Sequence, residues 1–127
     1  MVLASNIFPC PCCGFLVFDR EAGSYDICPV CDWEDDEVQL RHPGLTGGAN
    51  GRSLWQEQQR ILKRFPPAVQ EVEEHLRDPS WRPLEPEEAV TENVPQTGRG
   101  YFDTLGGEPP QYYWMQANDN GSPASSR

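Results

Sequence analysis

Cys10-Pro11-Cys12-Cys13-Gly14 and Cys28-Pro29-Val30-Cys31 decide how this chain folds. Each stretch is a hook whose outer cysteines are separated by two residues, and residues 14–27 lie between the hooks. The two-residue spacing lets a tight turn aim two sulfurs at one point. Gly14, just after the first pair, is free to take the positive φ that closes such a knuckle. A hairpin that brings the hooks together would complete a tetrahedron of thiolates. Cys10, Cys13, Cys28 and Cys31 are therefore the predicted ligands of one structural Zn2+. Cys12, the fifth cysteine, is expected to point away from the metal. Iron would fit the same four-sulfur cage.

Two other uses of cysteine compete with this reading. Cys-Pro-x-Cys is also a thioredoxin-type redox pattern, but that chemistry needs one pair at a helix start after a strand. Here there are two pairs and no βαβ pattern. A disulfide framework is the second alternative, and five cysteines is an odd number for it. The opening residues, Met1 to Phe8, also lack the charged stretch and apolar run of a secretory signal.

Composition makes a metal clip energetically sensible. Hydrophobic residues are 37% of 127, and 13 prolines with 11 glycines remove further residues from regular structure. So thin a core gains directly from a structural metal, whose binding free energy is folding free energy. No apolar run approaches the roughly 18 residues needed to cross a bilayer, so a cytoplasmic protein without membrane contact is expected. The net charge of −10 repels phosphate backbones, which argues against a nucleic-acid partner. Acidity is densest at Asp32-Trp33-Glu34-Asp35-Asp36-Glu37, immediately after the second hook. That run reads either as a solvated face or as a docking surface for a basic protein.

Outward from the hooks, residues 7–31 read as a zinc-bound β-hairpin unit. Phe15-Leu16-Val17-Phe18 is the first strand, residues 19–24 turn the chain, and Tyr25-Asp26-Ile27 return it to the second hook. Residues 41–52, with Gly47-Gly48-Ala49-Asn50-Gly51, form a loop without the Gly-Lys-Ser/Thr of a phosphate cradle, so a turn or packing role is expected. Ser53 caps a helix running through Phe65, with Leu54, Ile61, Leu62 and Phe65 on one face. Pro66-Pro67 ends it and opens a second helix carrying Val69, Val72 and Leu76. The predicted fold class is α+β: a small zinc-ribbon hairpin unit, two short helices and an irregular C-terminal extension. The expected organisation is a domain over 7–78, an extension over 79–116 packed on it or on a partner, and a disordered tail over 117–127. Within the extension, Tyr112, Tyr113 and Trp114 read as a terminal strand or an exposed aromatic anchor.

Taken in order, these motifs carry a family likeness. Phe8-Pro9-Cys10-Pro11-Cys12-Cys13-Gly14, Tyr25-Asp26-Ile27-Cys28-Pro29-Val30-Cys31 and Trp33-Glu34-Asp35-Asp36 resemble the bacterial cysteine-rich CPCC family. Gly47 to Leu54 resembles that family's Gly/Asn-rich segment leading into a helix. The likeness covers about residues 7–65. It implies a zinc-binding module of bacterial origin and brings no established activity with it.

Catalysis is not expected. His42 and His75 are the only histidines, and nothing in the sequence pairs either with Cys12 as nucleophile and base. Four hook cysteines leave a zinc ion no open position. The expected role is binding another protein, through Trp33, Glu34, Asp35, Asp36 and Glu37 together with Tyr112, Tyr113 and Trp114. The specific expectation is an immunity protein or antitoxin that blocks a basic, nuclease-like toxin. A generic adaptor or regulatory zinc module, and a redox or metal-handling protein, are the alternatives. The sequence leaves the oligomeric state open.

Overall fold

In the computed structural model, residues 7–89 and 111–115 are described. The expected tail over 117–127 lies outside them. Four short strands and two helices follow one another: β1 (Phe8–Pro9), β2 (Leu16–Phe18), α1 (Glu37–Arg41), α2 (Leu54–Arg64), β3 (Glu71–Val72) and β4 (His75–Leu76). Two 3-10 turns, Pro86–Ala89 and Tyr113–Met115, complete the set among the described residues. The α+β class is as the sequence predicts, but two elements are placed differently.

The first difference is the hairpin. β2 pairs antiparallel with β1 across the first hook, Phe8 opposite Phe18 and Pro9 opposite Leu16. Residues 25–28 pair instead across the second hook. Tyr25 N donates to Asp35 O at 3.0 Å, Asp35 N to Asp26 O at 2.9 Å, and Cys28 N to Trp33 O at 2.9 Å. Each hook therefore sits at the tip of its own hairpin.

The second difference lies after α2. Residues 67–76 do not form a second helix; β3 and β4 make a two-stranded hairpin with Glu71 opposite Leu76 and Val72 opposite His75. Glu73 and Glu74 between them both have positive φ, 52° and 73°, as a two-residue type I′ turn requires. Val69, Val72 and Leu76 do have helical spacing, but tertiary pairing overrides it. Phe15 bridges to Arg77 and Arg77 N donates to Gln70 O at 2.8 Å, so the segment is drawn out beside β2. The second helix of the fold is α1, which starts at Glu37, the last residue of the acidic run.

Helix α1 begins where Asp36, as N-cap, accepts from Val38 N and Gln39 N. The same carboxylate accepts from Ala49 N at 2.8 Å. Buried Gln39 then gathers the 45–52 loop, donating to the carbonyls of Leu45, Asn50 and Arg52. Asn50 pairs with the main chain of Glu34 like one rung of a sheet, accepting from its N–H at 2.9 Å and donating to its C=O at 2.8 Å. The Gly/Asn-rich loop thus packs against α1, as expected, and fixes the second hook from outside. Helix α2 carries the predicted cap: Ser53 and Gln56 form a reciprocal capping box. Its inner face presents Leu54, Gln58 and Ile61 to the core.

Tyr25 adds a pH-dependent link between the second hairpin and α1. Its phenol donates to Asp36 Oδ1 at 3.3 Å. Burial, then the nearby Asp36 and Glu37 charges, push its pKa up to about 12. The folded-state value lies above the unfolded one of about 10. The bond therefore contributes fully below about pH 10 and is lost as the pH rises through about 12. Denaturant titrations across that window should show a decline in stability that Tyr25→Phe flattens. An unchanged decline in the variant would remove Tyr25 from the account.

Candidate metal centre

The two hooks are near copies of each other. In the first, Gly14 N donates to Cys10 O at 2.7 Å and Cys10 N to Phe15 O at 3.0 Å. In the second, Asp32 N donates to Cys28 O and Cys28 N to Trp33 O, each at 2.9 Å. The residue after each second cysteine has positive φ, 82° at Gly14 and 68° at Asp32. The aromatic that follows, Phe15 or Trp33, is buried in the core. A local pattern used twice thus places four sulfurs around one point.

Cys10, Cys13, Cys28 and Cys31 are buried, and their sulfurs all lie within 4.8 Å of one another. Cys10 Sγ is 3.7 Å from Cys31 Sγ, and Cys13 Sγ is 3.7 Å from Cys28 Sγ. A disulfide would require about 2.05 Å, whereas zinc at about 2.3 Å from each sulfur of a tetrahedron spaces them by about 3.8 Å. Val30 N and Cys31 N also point at Cys28 Sγ, at 3.3 and 3.4 Å, the donor arrangement that suits a thiolate. Burial pushes the Cys10 thiol well up, so a sulfur this deep needs a cation to hold it as thiolate. The donor set fits one structural zinc, with Cys10, Cys13, Cys28 and Cys31 as its ligands. The ion would supply charge neutralisation and a rigid four-way crosslink.

Cys12 is buried too, but it lies outside the four-sulfur set. Burial raises its pKa, and a side-chain hydrogen bond with Cys31 opposes that rise, so the thiol does not point clear of the ligand set as expected but meets one of its members.

Sequence reasoning missed the groups that hold the first hook from behind. The turn leaves the carbonyls of Pro11, Cys12 and Cys13 facing the interior, where unpaired acceptors are costly. Trp81 Nε1 donates to Pro11 O at 3.1 Å, and Gln58 Nε2 to Pro11 O and Cys12 O at 3.2 and 3.3 Å. Arg77 Nε donates to Cys13 O at 2.8 Å. The rest of the Arg77 guanidinium bonds the carbonyls of Phe65, Pro66 and Val69 just beyond α2. It lies 4.5 Å from the Phe15 ring centre and 4.7 Å from that of Trp81. A polar Gln58 within an apolar helical stripe was the available signal. A single Arg77 before Asp-Pro gave none.

The predicted contact residues go mainly inward. Trp33, Asp35 and Asp36 are buried, while Glu34 and Glu37 are half-buried. Asp35 Oδ2 accepts from Gly23 N, Ser24 N and Ser24 Oγ, and Asp36 is occupied by the α1 cap and Ala49. These carboxylates satisfy main-chain donors, so the run is not one exposed acidic patch. Tyr112 and Tyr113 are also buried and Trp114 is half-buried, packed against the cluster that contains the hook cysteines.

The shared geometry of the hooks gives opposite predictions at their matching positions. A Cβ on Gly14 would lie 2.4 Å from Trp81 Cδ2, at a φ that L residues avoid. Gly14→Ala should cost about 3 kcal/mol, from left-handed strain plus overpacking. Exposed Asp32 bears the same strain without such a contact, so Asp32→Gly should stabilise by about 1 kcal/mol. Denaturant midpoints of the zinc-loaded variants test both. Equal effects at the two sites would break the argument.

Two β-hairpin knuckles closing on four buried thiolates define a small zinc-ribbon-like, zinc-binding module. The chain belongs to the cysteine-rich CPCC family, whose sequence model matches residues 8–82. No curated protein matches it. Among the described residues, no helix is long and apolar enough to cross a membrane.

Proposed function

We propose that this protein is a protein-binding module that zinc holds in shape, and that it is not an enzyme. The closed centre supports the second half of this reading. Four buried sulfurs surround the metal position, and a catalytic zinc keeps one position for water or substrate. The observation that carries the first half is a groove of about 440 Å3 beside the second hook, of mixed character, with Asp19, Asp26 and His75 among its lining residues. Leu16, Val17 and Phe18 contribute to its lining, and so do Ile27 at 62% exposure and Ile7 at 43%. Isoleucines left so open are candidates for burial against a partner.

An immunity protein or antitoxin acting on a basic toxin is a finer form of the same reading. With Asp35 and Asp36 used internally, its support is the net charge of −10 and the exposed Glu71, Glu73 and Glu74 of the β3–β4 hairpin. Both forms can be tested on tagged, zinc-loaded protein exposed to extract from its own host, followed by native mass spectrometry. Binding through the groove predicts a stoichiometric complex that Ile7→Asp/Ile27→Asp abolishes while zinc stays bound. Identical complexes for both proteins would overturn it. The toxin-blocking form further requires a basic partner whose complex weakens with salt and with Glu73→Lys/Glu74→Lys.

A further inference from the structure

Gln111–Met115 lies beyond the family-matched residues 8–82, yet it packs on the metal centre. Tyr112 and Tyr113 are 8% and 6% exposed and share one apolar cluster with Cys10, Cys12 and Cys13. Gln58 Nε2, which holds the Pro11 and Cys12 carbonyls, also donates to Tyr113 Oη at 3.1 Å. The Tyr113 hydroxyl in turn donates to Arg82 O. The Tyr112 ring stacks on Trp114 at 4.5 Å, and Trp114 meets Tyr113 edge-on at 4.8 Å. Among the described residues, the main-chain hydrogen bonds outside regular elements tie this segment only to itself, Met115 N to Tyr112 O. Among the described residues, side chains make its contacts with the core, the pattern of a unit that can open locally.

We infer that Gln111–Met115 is a strap whose undocking sets the rate at which zinc leaves and enters the centre. The four ligand cysteines are 0–7% exposed as residues, so a competing ligand reaches their sulfurs only through an opening. Release of the strap uncovers the first hook from the Tyr112 and Tyr113 side and removes the Tyr113 hydroxyl from the bonds of the Gln58 amide. The second hook is meanwhile still held by Asn50, Gln39 and Asp36. Exchange through this route is a local event and needs no global unfolding. The inference is independent of what the module binds.

The test is zinc transfer from the full-length, zinc-loaded chain to a chromogenic chelator in native buffer. Global unfolding rates are measured on the same samples. Tyr113→Phe keeps the ring and loses both hydroxyl bonds, and should speed release about tenfold. Tyr112→Ala/Tyr113→Ala should speed it about a hundredfold or more. Met115→Ala, at an exposed position, should leave the rate unchanged. In the unaltered chain, release should outpace global unfolding and barely respond to low denaturant. Alkylation of the hook cysteines should follow the same order among variants. The idea fails if release keeps step with global unfolding in every variant. It fails equally if Tyr113→Phe, which preserves packing, releases zinc at the parental rate.

Discussion

Stripping the metal should unfold this protein. A structural zinc in a small peptide domain contributes about 10–16 kcal/mol at neutral pH, while a domain of this size is stable by about 5–15 kcal/mol in total. The remaining core cannot replace that, because the four hook cysteines are themselves part of the buried cluster. Without the ion, packed sulfurs at 3.7 Å gain nothing from their closeness. Chelation in excess should therefore abolish the near-ultraviolet dichroism of Trp33 and Trp81 and give a chain that exchanges its amides freely. Cys13→Ser should show the same phenotype with zinc present, since a three-sulfur site loses most of the affinity. Cys12→Ser should retain one zinc per chain and most of the stability, because Cys12 lies outside the ligand set. A native-like spectrum for metal-free protein would refute the structural role. Loss of zinc from Cys12→Ser, with Cys13→Ser unaffected, would refute the ligand assignment.

The second large effect is expected at Arg77. Its side chain is 4% exposed and satisfies four carbonyls from two separate parts of the chain. It also sits against two aromatic rings. Burial lowers its pKa, yet a guanidinium remains charged far above physiological pH, and the neighbouring thiolate centre offers a favourable field. Arg77→Met would keep much of the volume and leave four acceptors without a donor. The expected loss is about 3–5 kcal/mol, read as a shift in denaturant midpoint of the zinc-loaded protein. Arg77→Lys should recover little of it, because an ammonium cannot span acceptors placed for a planar fork. A midpoint shift below about 1 kcal/mol for Arg77→Met would mean that solvent satisfies those carbonyls and that the residue is not a brace.

Arg77 also explains why the chain after α2 departs from its helical pattern. Val69, Val72 and Leu76 have helical spacing, and Pro66-Pro67 is a fair helix start. What decides the outcome is that Arg77 must reach Phe65, Pro66, Val69 and Cys13 together. That geometry brings the chain back on itself through Glu73 and Glu74, two residues whose own preference opposes positive φ. No window of local sequence contains that requirement, because Cys13 lies 64 residues away.

The acidic run depends on tertiary contacts in the same way. Asp35 and Asp36 look like surface charge in a sequence, where carboxylates are usually solvated. Here each meets main-chain N–H groups that turns and helix starts leave unpaired: those of Gly23 and Ser24 for Asp35, and of Val38, Gln39 and Ala49 for Asp36. An Asp at an N-cap is in principle legible, and Asp36 followed by Val38, Gln39 and Leu40 carried that signal. It was hidden because a five-residue helix is too short for periodicity to show.

What the sequence determined alone was the metal centre, because its geometry is written locally. Two residues between cysteines and a positive-φ position after each pair suffice to build a knuckle, and two knuckles suffice to predict four ligands. The capping box of α2 is equally local, closing over Ser53 to Gln56. Only the tertiary structure decided what lies behind the knuckles. Gln58, Arg77 and Trp81 act through carbonyls 46 to 70 residues away, and Tyr113 reaches the same hook across 55 residues through Gln58. Those bonds exist because a buried carbonyl must find a donor, and which donor arrives is settled only when the whole chain has packed.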